Sequence, residues 1–350
     1  MSEPNFLNSG EYGCVFNPAY NCDGKKTKNN KYITKLVQKD FFSKTEYDVG
    51  KLMSNKEGFS PIIKRCNISN ELLKESSMSK HCKVNRIKKY KKDYELLYSK
   101  FIKSIKLSTF LNNTLSKYDI LKSYIVLCKR IEVMIETGVI HHDLHFGNIL
   151  YDGSDMYIID FGLSLIKKSF LINKQINMTY LKKAIFEYSP TWNYWSIDFH
   201  LLCFIVHNQQ MITMEIIEHT INYYLNHHII NKIKGGYSFF YKQYAINYFK
   251  KYIDQPIDYV IKELLNTSET WDYYKIAIHY IEIYYDILMK TPQFLIILLL
   301  LIHPNPEYRP NSLEIRLMND TLMDHYQYNN NSIKREFSNK IIKSLNSSMK

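Results

Sequence analysis

No apolar run in this chain is long enough to cross a bilayer. The longest, Phe294 to Ile302, has nine residues, whereas a membrane-spanning helix needs about 20, so the stretch reads as a buried helix of a soluble protein. Cysteine is sparse and scattered: Cys14, Cys22, Cys66, Cys82, Cys128 and Cys203 form no close pair at zinc-ligand spacing and follow no secretory leader. The expectation is six free thiols in a reducing, cytoplasmic compartment. No internal repeat is present. Acidic side chains are in deficit, 34 against 46 Lys and Arg, for a formal net charge of +12. Such an excess points to an acidic contact: a nucleotide, a nucleic acid, a membrane surface or an acidic protein.

What is present tempers that reading. Lys, Asn, Ile and Tyr are all abundant, with 30 tyrosines, a joint bias that an AT-rich genome imposes on every protein it encodes. Part of the charge is then codon drift. With 350 residues and 45% hydrophobic content, the chain can fill a core without staples.

Residues 5 to 37 alternate short apolar runs with Gly, Asn and Asp, as hairpin strands do, and Asn21 to Asn30 is a polar loop. Ser43 to Asn55 has helical spacing, and Pro61 to Lys64 and Tyr94 to Ile102 read as further strands. Between those two lies Lys80 to Lys92, with seven Lys or Arg in thirteen residues, a solvated basic insertion. From Tyr118 the apolar positions Ile120, Leu121, Tyr124, Ile125, Cys128, Ile131, Met134 and Ile135 mark one face of a long helix that Gly138 can end. Ile149 to Tyr151 and Met156 to Ile159 then flank an Asp-Gly turn. Beyond Pro190 the pattern is mostly helical, and from about Asn329 it is polar.

The chemistry starts at Asn8-Ser9-Gly10-Glu11-Tyr12-Gly13-Cys14-Val15. Glycines let backbone amides approach phosphate oxygens closely, although two glycines alone mark an ordinary turn. Lys35 follows in a strand-like run, where a buried ammonium needs an anionic partner: nucleotide phosphates, or Glu46 on the first helix. The strongest pattern is His141-His142-Asp143-Leu144-His145-Phe146-Gly147-Asn148, followed by Asp160-Phe161-Gly162. Two carboxylates and an amide suited to one metal-phosphate site fall within eighteen residues, joined by a hairpin.

Here the sequence resembles the protein-kinase superfamily, whose signature is H-R-D-L-x-x-x-N and D-F-G after a glycine loop and a strand lysine. The resemblance implies an α+β, bilobal protein-kinase-like fold. Residues 1–104 would form a small β-rich N-lobe with the basic insertion at about 65–92. Residues 105–328 would form a larger, mainly helical C-lobe with a helical insertion at about 207–290, ahead of a polar tail at 329–350. By the same resemblance Asp143, Lys35 and Asn148 are catalytic, with Asp143 orienting or deprotonating the acceptor hydroxyl, and Asn148 and Asp160 bind Mg²⁺. Asn8 to Val15, with Lys35 and Glu46, would bind ATP. Asp198 looks like the aspartate that hydrogen-bonds the catalytic-loop backbone, and Arg309 like the buried arginine late in the C-lobe.

The chain departs from the family pattern at Asn8, where a first glycine is usual, at His142 for arginine, and at His145 for the lysine of serine/threonine kinases. No A-P-E sequence is present. The reading is an ATP-dependent serine/threonine protein kinase with an unidentified protein substrate. The Asp-Leu-His-x-Gly-Asn wording also resembles aminoglycoside and choline phosphotransferases, and a catalytically inactive kinase-fold binding module is a third reading. An acidic partner at the basic insertion fits the charge, and no nucleic-acid motif is found. Composition and divergent motifs together are similar to kinases of large DNA viruses, which places the protein in host cytoplasm or a virion.

Overall fold

Strand-forming residues alternate with turn residues up to position 100, and the computed structural model turns them into one antiparallel sheet. It describes residues 5–9, 13–76, 78, 82, 93–111, 116–226 and 228–327. Strands β1 (Asn5–Ser9), β2 (Gly13–Asn17), β3 (Tyr32–Gln38), β4 (Lys64–Ile68) and β5 (Tyr94–Lys100) lie in the order β1-β2-β3-β5-β4. Register sets Val15 opposite Lys35, and Lys35 opposite Leu97. Gly13 permits the tight approach of β2 to β3, because a Cβ there would sit 2.4 Å from the Leu36 carbonyl oxygen. The strand expected at Pro61 to Lys64 begins three residues later, at Lys64. Of the apolar run Pro61 to Ile63, only the Ile63 amide reaches the sheet, donating to the Tyr98 carbonyl at 2.8 Å.

Helix α1 (Phe41–Met53) starts where the sequence supplies a cap. Asp40 Oδ1 accepts from the amides of Phe42 and Ser43 at 2.9 and 3.0 Å, and Ser43 Oγ accepts from the Asp40 amide at 3.0 Å. This capping box satisfies donors that would otherwise be orphaned. Thr45, Glu46, Val49, Gly50 and Met53 form the buried face. Gly50 lets the helix touch the backbone at Ile62, whose oxygen would lie 2.2 Å from an added Cβ.

The chain divides into two compact units, Met1–Phe110 with Glu136–Ile166, and Leu111–Ile135 with Lys167–Lys350. The first also holds β6 (Ile105–Lys106), β7 (Val139–Ile140), β8 (Ile149–Tyr151), β9 (Met156–Ile158) and β10 (Leu165–Ile166). These pair as β6-β8-β9 and β10-β7. The long helix expected from Tyr118 runs Lys117–Thr137, and Gly138 follows it with a left-handed φ of 74°.

The second unit is helical. Its segment Ile197–Asn208 is buried from Ile197 through Val206, and Asp198 within it is fully enclosed. Asp198 Oδ1 accepts from Arg309 Nη2 at 2.8 Å, while Oδ2 accepts from Trp271 Nε1 at 2.7 Å and Thr267 Oγ1 at 2.9 Å. Sequence reasoning assigned Asp198 a backbone partner and left Arg309 with none; the structure joins the two. The tyrosine-rich helices are core: Tyr224, Tyr241, Tyr252, Tyr274 and Tyr280 are all fully buried, with Tyr224 and Tyr274 hydroxyls in contact. Among the described residues no helix is long and apolar enough to cross a membrane.

The expectation of six free thiols is corrected. Cys14 is joined to Cys82 and Cys22 to Cys66, with Cα–Cα distances of 5.7 and 5.9 Å, inside the usual range for a disulfide. Cys128 and Cys203 are free and buried. Spacing hid the pairs, since their members lie 68 and 44 residues apart, and only one cysteine of each pair, Cys14 or Cys66, lies on a strand. Peptide mapping without reductant is therefore expected to recover both linked pairs. Reduction should lower the melting temperature, each bridge contributing about 2–4 kcal/mol by constraining the unfolded chain. Four alkylatable thiols in an equally stable native protein would refute the pairing.

Candidate active site

Strand β3, helix α1 and the turn after β9 converge within the first unit on three charged side chains. Lys35 Nζ lies 3.0 and 3.2 Å from the two Glu46 carboxylate oxygens and 2.6 Å from Asp160 Oδ1. A buried ammonium demands such partners. Burial opposes the Lys35 charge, but the Asp160 and Glu46 carboxylates outweigh it and hold its pKa above the ordinary lysine value. Burial likewise pushes the Glu46 carboxyl up, against the pull of Lys35. At Asp160 the burial penalty is overcome by Lys35, which keeps that carboxyl below its usual range. The eleven-residue gap from Lys35 to Glu46 is enough, because α1 starts at once behind the Asp40 cap.

The catalytic-loop motif is held by its own hydrogen bonds. His141 Nε2 bonds the Ile159 carbonyl at 2.9 Å, and its Nδ1 accepts from the Asp143 amide at 3.3 Å. These partners set the tautomer with the proton on Nε2. The same ring packs on Phe161 at 5.0 Å, and Phe161 on Phe59 at 6.3 Å. Asn148 Nδ2 donates to the Asp143 carbonyl at 3.0 Å and to Asp143 Oδ2 at 3.2 Å. His145 Nδ1 accepts from the Gly147 amide at 3.0 Å, while Nε2 stands 3.9 Å from Asp143 Oδ2. His142 and Asp160, neither a glycine, take left-handed φ angles of 65° and 64°, the kind of backbone strain that surrounding structure must enforce.

One pocket is lined by Lys35, Glu46, Asp143, Asp160 and Gly162. Four of the five polar residues picked from the motifs thus share a single cavity wall, and Asn148 joins them through Asp143. Cys14 and Val15 lie on β2, with Val15 opposite Lys35. Asn8 and Ser9 belong to β1, whereas Gly10, Glu11 and Tyr12 lie outside the described residues, as do residues 83–92 of the basic insertion and the polar tail from 328. Sequence reasoning passed over Asp40, Phe42 and Ser43, which line the same pocket. Their signal was an aspartate three residues ahead of a serine at a helix start.

The donor set suits a hard divalent cation. Asp160 offers a carboxylate, and Asn148, whose Nδ2 is turned to Asp143, keeps an amide oxygen. Among the described residues no group of three or more His, Cys, Asp or Glu forms a cage. Mg²⁺ sites of that kind rely on one or two protein ligands plus substrate phosphates.

A mixed α/β fold with a small strand-rich N-terminal part, a larger helical C-terminal part and this pocket defines a kinase-like domain. The family model of the ABC1 atypical kinase-like domain matches residues 66–185, about a third of the chain. That stretch runs from β4 through the catalytic loop and Asp160. The likeness is thus to an atypical branch of the kinase-like superfamily. No curated protein matches the chain.

Proposed function

We propose that the protein is an ATP-dependent kinase that transfers the γ-phosphate of Mg-ATP to serine or threonine hydroxyls of a protein. The observation that carries this reading is the Lys35–Glu46–Asp160 cluster, its Glu46 buried, beside Asp143 in one pocket. Lys35 would bind the α- and β-phosphates once Asp160 turns from the ammonium to the metal, with Glu46 holding the lysine in place. Mg²⁺, when bound, neutralises charge on the β- and γ-phosphate oxygens. Asn148 and Asp160 would hold it, and Asp143 would orient and deprotonate the acceptor hydroxyl. Asn8 to Val15 would cover the nucleotide. Little covalent chemistry is asked of the chain, so positioning and charge carry the rate.

The enclosed Asp198–Arg309 pair supports a protein acceptor, being the feature of the helical unit that resembles protein kinases. A small-molecule acceptor is favoured by His145, which stands where a lysine is usual. The tyrosine- and lysine-rich composition supports a source among large DNA viruses. The basic insertion would meet an acidic partner. Labelled ATP and Mg²⁺ offered with basic, acidic and small hydroxylated acceptors test the reading: label on protein Ser or Thr is expected. Efficient labelling of a choline- or sugar-like acceptor alone would replace it with the small-molecule reading, and nucleotide binding without transfer with the inactive binding module.

A further inference from the structure

Glu95 is the second residue of β5, flanked by Tyr94 and Leu96, and only 1% exposed. Its Oε1 has no hydrogen-bond partner among the described residues, and Oε2 faces Arg65 Nη1 at 3.8 Å, too far for a hydrogen bond. A buried carboxylate in that state is costly and needs a compensating charge. Register shows what else is near. Lys35, Leu97 and Arg65 form one row across β3, β5 and β4, while Val37, Glu95 and Asn67 form a second. The rows are two residues apart, about 7 Å along the strands, so Glu95 shares the face that carries Lys35. Val37, Ile62, Leu97 and Tyr47 pack together on that face. The Arg65 guanidinium lies over the Tyr47 ring at 4.8 Å, and Tyr47 directly follows Glu46. The Glu95 charge also reaches Glu46, adding to the upward push on its carboxyl.

We propose that Arg65 and Glu95 are positioning residues for the Lys35–Glu46 pair, Arg65 neutralising Glu95 while it fastens α1 through Tyr47. Without Arg65, Glu95 becomes an uncompensated buried anion that repels Glu46 and competes for the Lys35 ammonium. This deepens the phosphotransfer reading of the same site. Glu95 alone, as an acid in a β-strand, would be an unexplained cost; with Arg65 it supplies a charge that must stay balanced for Lys35 to stay on Glu46.

Arg65 is only partly buried, so Arg65→Met should fold. Its kcat is expected to fall about tenfold with a smaller change in the KM for Mg-ATP. Glu95→Gln in the same chain should bring kcat back to within about threefold of the starting protein. A purely local packing role predicts the opposite, a double variant no better than Arg65→Met, and that result would overturn the proposal. A second measurement needs no catalysis: melting temperatures of Arg65→Met, Glu46→Gln and their combination. The loss from Arg65→Met should shrink once Glu46 is neutral, and strict additivity overturns the proposal. Should the unmodified protein transfer no phosphate at all, the phosphotransfer reading fails while the melting cycle still decides this one. Should Arg65→Met fail to fold, recovery of a folded chain by added Glu95→Gln supports the charge argument, and continued failure overturns it.

Discussion

Asp143→Asn is expected to lower phosphotransfer by roughly 10²- to 10⁴-fold, the usual contribution of a positioned general base, with almost no loss of stability. The substitution is nearly isosteric. The Asp143 amide keeps its bond to His141, and the Asp143 carbonyl keeps the Asn148 amide, so the loop geometry survives while the proton acceptor is lost. Asp160→Asn should be as inactive for a different reason. It removes the charge of a metal ligand, so Mg-ATP binding weakens together with turnover, whereas Asp143→Asn leaves nucleotide affinity largely in place. Neither substitution removes the Glu46 carboxylate that lies 3.0 Å from Lys35. Calorimetric titration with Mg-ADP beside a turnover assay separates the two effects. Near-normal turnover of Asp160→Asn with Mg²⁺ would show that the site has been assigned to the wrong residues.

The catalytic loop was legible in the sequence because its chemistry restricts residue types at short, fixed spacing. His141, Asp143 and Asn148 bond one another or their near neighbours, over separations of two to eighteen residues. Helix α1 was legible for a similar reason, its apolar spacing being local, although its Asp40 cap was not read. What could not be read depends on partners far apart in the chain. Each disulfide joins a strand cysteine, Cys14 or Cys66, to one outside the sheet and distant in the chain. The Asp198–Arg309 pair spans 111 residues, and neither residue type predicts the other. Glu95 was hidden by context: one acid among Tyr94, Leu96, Leu97 and Tyr98 reads as an outward-facing strand residue, and only the register against Arg65 and Lys35 shows it turned inward. Strand β4 starts later than the apolar run predicts because Pro61 and Ile62 are buried, with the Ile62 backbone against Gly50 of α1, while Ile63 is exposed.

Arg309→Met should cost about 3–5 kcal/mol at neutral pH, the usual penalty for leaving one member of a buried ion pair behind. Arg309 and Asp198 have no exposed side-chain surface, and the guanidinium also donates to the His303 carbonyl at 2.9 Å and Thr270 Oγ1 at 3.0 Å. The cost should depend on pH in a direction that identifies Asp198 as its source. In the native protein burial alone would raise the Asp198 carboxyl, but Arg309 reverses this and holds it below its ordinary value. The stability it contributes is therefore present above about pH 4 and is lost only as pH falls through the still lower folded-state value. In Arg309→Met burial is opposed only by neutral hydrogen bonds such as those from Trp271 and Thr267, so the folded-state value is expected to rise above the unfolded one and the carboxyl to take up a proton on folding. That variant gains relative stability as pH falls and loses it as pH rises, so the difference between the two proteins should narrow from pH 7 towards pH 5. Adding Asp198→Asn, which keeps an acceptor for Trp271 and Thr267, should recover most of the loss at pH 7 and flatten the pH dependence. Urea unfolding of the three proteins at both pH values measures this, and a penalty equal at pH 5 and pH 7 would show that lost packing, rather than the stranded carboxylate, accounts for it.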